Sequence, residues 1–164
     1  VSKSYAMTGW RIGYAVGPLE LINAINKLQS QMSSCPSSVS QAAAAFALSA
    51  DQSGVAETVE VYRARRDRAH ELINAIPELS CTLPEGAFYL YPSCAGAIGK
   101  TTPEGKVIES DLDFGLYLLD YVGVASVHGG AYGLEPYFRI STATSMEEIE
   151  AACAQIAKAC AALT

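Results

Sequence analysis

The run Ser2-Lys3-Ser4-Tyr5-Ala6-Met7-Thr8-Gly9-Trp10-Arg11 constrains the fold more than any other stretch, because it sets a lysine and an arginine eight positions apart across small residues and one glycine. Fully extended, that connection would hold the two cations roughly 26 Å apart. Its Met7-Thr8-Gly9 centre is turn-prone, and Gly9 tolerates backbone angles closed to other residues. The chain can bend back here and bring both cations to one ligand.

A protonated lysine, with a reference pKa of about 10.4, is a poor nucleophile, but as a neutral amine it condenses with carbonyl groups. Arginine keeps its charge and grips phosphate with a planar fork. A ligand with an aldehyde and a phosphate on neighbouring ring positions would use both, and pyridoxal 5'-phosphate is such a ligand. Extended to Ser2-Lys3-x-Tyr5-x-Met7-Thr8-Gly9-Trp10-Arg11-Ile12-Gly13-Tyr14, the run resembles the cofactor-lysine signature of class I aminotransferases of the aspartate aminotransferase type. The resemblance continues to the C terminus. It implies an α/β chain of the fold type I pyridoxal-phosphate transferases, with the end of the large domain in residues 1–60 and a connecting helix plus the small C-terminal α/β domain in residues 61–164. By the same resemblance Lys3 is the Schiff-base lysine, Arg11 the phosphate arginine and Ser2 a further cofactor contact.

Half of the residues are hydrophobic and 17% are charged, a balance that supports a packed core and not a disordered chain. The formal charge of −6 disfavours nucleic acid and anionic membranes as partners, since both need a basic face. No apolar run reaches the roughly 20 residues of a membrane span, and no signal peptide precedes Val1, so a soluble cytoplasmic protein is expected. The five cysteines lack metal-site or C-x-x-C spacing and read as reduced core residues. The family resembled has a much longer chain, and Val1 stands just before Lys3. The sequence is therefore expected to be the C-terminal portion of such an enzyme, inactive or nearly so without the N-terminal part that supplies the aspartate facing the pyridine nitrogen.

Residues 12–16 form a short apolar run between glycines, the pattern of a buried strand. Pro18 is placed to open a helix to Gln31, whose Leu21, Ile25, Leu28 and Met32 recur at helical spacing and are expected in the core. A polar loop over residues 30–38 follows, with Ser37 or Ser38 capping an alanine-rich helix that ends near Ala50. In the family this loop lies at a dimer interface close to the neighbouring subunit's cofactor. Ser34 is accordingly either a phosphate contact or a plain capping serine, and a homodimer is expected.

A long helix follows to Ile76, with Val55, Val59, Tyr62, Arg66, Ala69 and Ile73 along one face, and its Arg63-Ala64-Arg65-Arg66-Asp67-Arg68 cluster reads as a solvated face balanced by Glu57, Glu60 and Glu71. Residues 80–83 and 87–91 read as strands split by the Pro84-Glu85-Gly86 turn, residues 92–110 as a long loop that is mobile or functional, and residues 111–121 as a short helix with acids in its first turn. Ser145-Met146-Glu147-Glu148 is a capping box opening a terminal helix with Ile149, Cys153, Ile156 and Cys160 facing inward.

Three glycines in His128-Gly129-Gly130-Ala131-Tyr132-Gly133 would let backbone approach a ligand. The segment is similar to the family's loop before the substrate arginine, which more often carries Ser at 130 and Phe at 132; His128 reads as structural. In Tyr137-Phe138-Arg139-Ile140-Ser141, alternation puts Phe138 and Ile140 on one face and Arg139 on the other. An arginine in a mostly apolar strand needs an anionic partner. The residues alone leave an internal salt bridge open, whereas the resemblance makes the partner the substrate α-carboxylate. The implied reaction moves an amino group between an amino acid, preferably aspartate, and 2-oxoglutarate by a ping-pong route. No arginine stands near Ser30, where better-known aspartate enzymes hold the distal carboxylate, and Thr142 replaces a frequent tyrosine. An aromatic or other amino acid therefore stays open as substrate, as do a lyase and a non-catalytic aminotransferase-like binding or dimerisation module.

Overall fold

The computed structural model describes residues 1–164. The chain divides into two compact units, Val1–Val59 and Glu60–Thr164.

The first unit opens with the lysine loop and a 3-10 turn at Thr8–Trp10, followed by helix α1 at Leu19–Met32 and helix α2 at Ser38–Ser49. Pro18, with φ at −55°, directs the entry to α1. Ser37 stands at the N-cap of α2, but its hydroxyl makes no capping bond. Gln41 ties the preceding loop to the helix, its N–H donating to Ser37 O (3.0 Å) and its Nε2 to Pro36 O (2.9 Å).

Residues 12–16 form no strand. Their pattern suits one, but a strand needs a neighbour to take its N–H and C=O groups, and no segment of the 164 residues pairs with them. The apolar stripe of α1 is likewise uncovered, with Leu28 63% and Met32 82% exposed. Helical spacing shows that a face is built to be covered; it carries no information about what covers it.

Helix α3 spans Ser53–Asn74. In the second unit, strands β1 (Tyr89–Leu90), β2 (Val127–His128) and β3 (Phe138–Ser141) form an antiparallel sheet in the order β1-β3-β2, accompanied by helices α4 (Asp111–Val122) and α5 (Met146–Ala161). The core collects Ile73, Leu90, Phe114, Leu118, Phe138 and Ile156 from these elements, each at most 1% exposed. Tyr117 Oη joins α4 to α5 by donating to Ala159 O (2.9 Å). All five cysteines are free; burial pushes the thiols of Cys94 and Cys160 up to about 12 and that of Cys153 to about 11. These three therefore stay neutral and act as small apolar fillers.

Local signals set the helix ends. Ser110 Oγ accepts from Asp113 N–H (3.2 Å), Ser145 Oγ accepts from Glu148 N–H (3.2 Å), and Gly123 closes α4 in the left-handed region at φ 71°. Residues 80–83 do not form the expected strand; only Ser80 bridges, to Ser93. Side chains of α3 take the next backbone groups: Asn74 Oδ1 accepts from Cys81 N–H (2.9 Å), while Asn74 Nδ2 (3.0 Å) and His70 Nε2 (2.9 Å) reach Cys81 O. The stretch 92–110 is anchored despite its polar composition, because Thr101 and Thr164 exchange backbone bonds (2.8 and 3.1 Å) and Ile108 is 1% exposed. On α3, Arg63 pairs with Glu60 (3.2 Å) and Arg68 with Glu71 (2.9 Å) and Glu150 (2.8 Å), solvent-screened pairs that add little to stability. No helix is long and apolar enough to cross a membrane.

Gly129 is required by its surroundings. A Cβ there would overlap Leu134 O and lie 2.8 Å from Tyr137 O and 2.9 Å from the Tyr91 hydroxyl. The glycine thus lets the chain approach its own backbone, where the sequence pattern pointed to a ligand. Gly129→Ala is expected to cost about 3 kcal/mol, the upper range for overpacking, and to lower the melting temperature by roughly 10 °C. Thermal unfolding followed by circular dichroism checks this, and an unchanged midpoint contradicts it.

Candidate active site

Residues 1–11 are wound. Tyr5 N–H donates to Val1 O (3.2 Å), Ala6 N–H to Lys3 O (3.1 Å), Trp10 N–H to Met7 O (3.2 Å) and Arg11 N–H to Thr8 O (3.4 Å). Two successive turns replace the extended connection and put Ser2, Lys3 and Arg11 on one compact loop. Tyr5 Oη donates to Gln52 Oε1 (2.6 Å), and Ser40 Oγ in the first turn of α2 donates to Trp10 O (2.8 Å). These bonds tether the loop at two points. Met7 is buried at 8% exposure beneath it, while Lys3 and Arg11 are exposed. Arg11 Nη1 donates to Thr8 O (3.1 Å), which leaves the rest of its guanidinium edge for an anion.

Four non-glycine residues adopt positive φ: Ala6 (52°), Arg11 (49°), Ser34 (63°) and Ala87 (64°). A Cβ makes that region costly, and strain retained in a fold concentrates at functional segments. Here it falls on the lysine loop, on the α1–α2 connection that carries Ser34, and on the turn before Tyr89. Ser34 is exposed and makes no hydrogen bond to Ser2, Lys3 or Arg11.

In the second unit, alternation on β3 buries Phe138 completely and turns Arg139 to the opposite face. Tyr89 stands opposite Ser141 in the β1–β3 register, so it lies diagonal to Arg139 on that same face. The Arg139 guanidinium carbon is 4.4 Å from the Tyr89 ring centroid and 5.0 Å from that of Tyr132. Arg139 has no carboxylate partner and no side-chain hydrogen bond in this chain. The internal salt bridge left open by the sequence is absent. Such stacking holds the charge with about 1–2 kcal/mol while leaving every N–H donor unused.

Asp111 organises the loop that carries Tyr132, and sequence reasoning missed it, treating it as one of two acids suited to a helix N terminus. Its carboxylate is 1% exposed; Oδ2 accepts from Gly130 N–H (3.2 Å) and Tyr137 N–H (3.3 Å), and Oδ1 lies 3.6 Å from His128 Nδ1. His128 is structural as expected. Tyr91 Oη donates to Gly129 O (3.3 Å) and Leu134 O (3.4 Å), and its ring stacks on Tyr137 at 5.4 Å. Burial, reinforced by the Asp111 charge, pushes the Tyr91 hydroxyl up and keeps it a donor. Tyr89 and Tyr132 were missed too, because only strand register and loop closure bring them to Arg139.

The chain is 52% identical over 162 residues to a probable aspartate/prephenate aminotransferase of Rhizobium leguminosarum bv. phaseoli, covering 99% of this chain and 40% of that protein. It is 55% identical over 160 residues to an aspartate aminotransferase of Rhizobium meliloti, covering 98% and 39% respectively. Among solved structures, the crystal structure of the aspartate aminotransferase from Rhizobium meliloti superposes with a TM-score of 0.94 at 54% identity, over 99% of this chain and 41% of that one. The chain thus spans about 40% of the length of the curated relatives it matches. The family model described as aminotransferase class I and II matches residues 1–156, a span that includes the lysine loop and the F-R-I-S strand alike. By that match, this chain belongs to the class I and II aminotransferases.

Proposed function

We propose that this chain carries the cofactor lysine, the phosphate arginine and the carboxylate arginine of an enzyme that moves an amino group between aspartate and 2-oxoglutarate by a ping-pong route. The observation that carries the reading is Arg139: a partly buried guanidinium, steadied by two rings and paired with no anion of its own chain, is built to receive a carboxylate from outside. Relatives named as aspartate aminotransferases support the donor. The aromatic surroundings of Arg139, with Phe88 4.5 Å from Tyr89, favour a second reading in which an oxo acid with a cyclic side chain is also accepted. Relatives named aspartate/prephenate aminotransferase support that reading.

Pyridoxal 5'-phosphate fits the donor set of the first unit, which offers one exposed amine for an aldehyde and a guanidinium edge with nearby serine hydroxyls for a phosphate. In this assignment Lys3 Nζ holds the aldehyde carbon, Arg11 and Ser2 hold the phosphate, and Ser34 approaches the phosphate of a second copy of the enzyme. When bound, the cofactor supplies the electron sink that acidifies the substrate Cα–H. Arg139 binds the substrate α-carboxylate through two parallel N–H···O bonds and thereby orients that Cα–H. Lys3 Nζ, as the neutral amine, takes the proton from Cα and later returns it. Residues 1–60 act as the end of the large domain and residues 61–164 as connecting helix and small domain. The partner of the pyridine nitrogen is assigned to a segment outside these residues, and the working form to a homodimer in the cytoplasm.

Borohydride tests the assignment. Treated with the cofactor and then reduced, the enzyme is expected to lose its near-visible absorption and to carry the cofactor's mass on the peptide containing Lys3. Label on another lysine, or none, would sink the reading.

A further inference from the structure

We propose that Tyr132 is a positioning residue for Arg139, holding the guanidinium ready for a ligand carboxylate. The inference rests on the reading of Arg139 as the carboxylate-binding residue and adds the group that sets its orientation. Tyr89 approaches Arg139 from the sheet itself, through the β1–β3 register. Tyr132 comes from elsewhere, at the end of the 3-10 turn Gly129–Tyr132, and is half exposed at 50%. Within the chain its ring contacts are Arg139 and the edge of Tyr91 at 6.2 Å.

The turn bearing Tyr132 is held from within. Gly130 and Tyr137, on either side of Tyr132, both donate to the buried Asp111 carboxylate, and Tyr91 Oη reaches Gly129 O and Leu134 O across the same loop. A free arginine side chain carries about 2 kcal/mol of rotamer entropy. Contact with the two rings removes part of that freedom before the ligand arrives, so less is lost on binding. The Tyr132 hydroxyl makes no hydrogen bond within the chain, which makes the ring the working part. The ligand that matches the unused N–H edge is a planar two-oxygen anion, to which it can donate two parallel bonds.

The test uses the pyridoxal-phosphate holoenzyme carrying this sequence, with aspartate and 2-oxoglutarate as substrates and succinate, which has neither amino nor oxo group, as a binding probe followed by calorimetry. Tyr132→Ala is expected to raise the KM for aspartate and the Kd for succinate about tenfold each, with kcat held within roughly twofold. Tyr132→Phe is expected to restore both constants. Combined with Arg139→Gln, Tyr132→Ala is expected to add less than about a twofold further change, since the two residues act as one unit. If Tyr132→Ala leaves KM and Kd unchanged while Arg139→Gln raises them, the positioning role is overturned and the carboxylate reading stands. If Arg139→Gln also leaves them unchanged, both fall. A Tyr132→Phe variant as impaired as Tyr132→Ala overturns the proposal as well, because the hydroxyl would then be the working group.

Discussion

Lys3→Ala is expected to lower the rate of aspartate transamination by the holoenzyme about 10⁴-fold or more, because under the proposed assignment one substitution removes both the covalent anchor of the cofactor and the base that moves the Cα proton. Lys3 lies exposed on a loop that is tethered through Tyr5 and Trp10. Thermal stability should therefore stay within about 0.5 kcal/mol of the parent, as for surface substitutions generally. Lys3→Arg is expected to be as inactive as Lys3→Ala, since a guanidinium keeps the charge but never becomes the neutral amine the chemistry needs. Stopped-flow measurement of the half-reaction with aspartate, alongside a melting curve, separates loss of chemistry from loss of fold. A Lys3→Ala enzyme retaining even a tenth of the parent rate would remove the assignment.

Arg139→Gln is expected to lower kcat/KM for aspartate by roughly 150-fold, equivalent to about 3 kcal/mol, within the range found when one partner of a hydrogen-bonded charge pair is truncated. Glutamine reaches from the same strand position but donates from one amide, so the parallel pair of bonds to the carboxylate is lost. Because Arg139 has no ion pair in this chain, its removal strands no buried opposite charge. Folding stability should then fall only by the ring contacts, about 1–2 kcal/mol. An amine substrate lacking a carboxylate should react equally slowly with parent and variant. A kcat/KM for aspartate unchanged by Arg139→Gln would mean that the unpaired guanidinium serves another purpose.

Much of the helical framework is legible from short-range signals. Ser110 and Ser145 mark the starts of α4 and α5, and Ile149, Cys153, Ile156 and Cys160 are all buried as their spacing implies. These features are local, since a cap is formed within four residues and a stripe within a few turns. The strands were read less well. Residues 12–16 and 80–83 have strand composition without a ladder, the former for want of a partner and the latter because Asn74 and His70 hold Cys81 from α3.

The candidate site divides the same way. The amine of Lys3 and the guanidinium groups of Arg11 and Arg139 were recognisable from residue type and motif. That Arg139 would rest on Tyr89, 50 positions away, and on Tyr132, 7 away, and that Asp111 would tie down the intervening loop from 19 positions off, depended on strand register and loop closure. By itself the sequence determined where the helices form and which chemical groups the chain offers. Only the tertiary structure decided what each group meets, because strand register and loop closure bring together residues whose proximity leaves no local pattern in the chain.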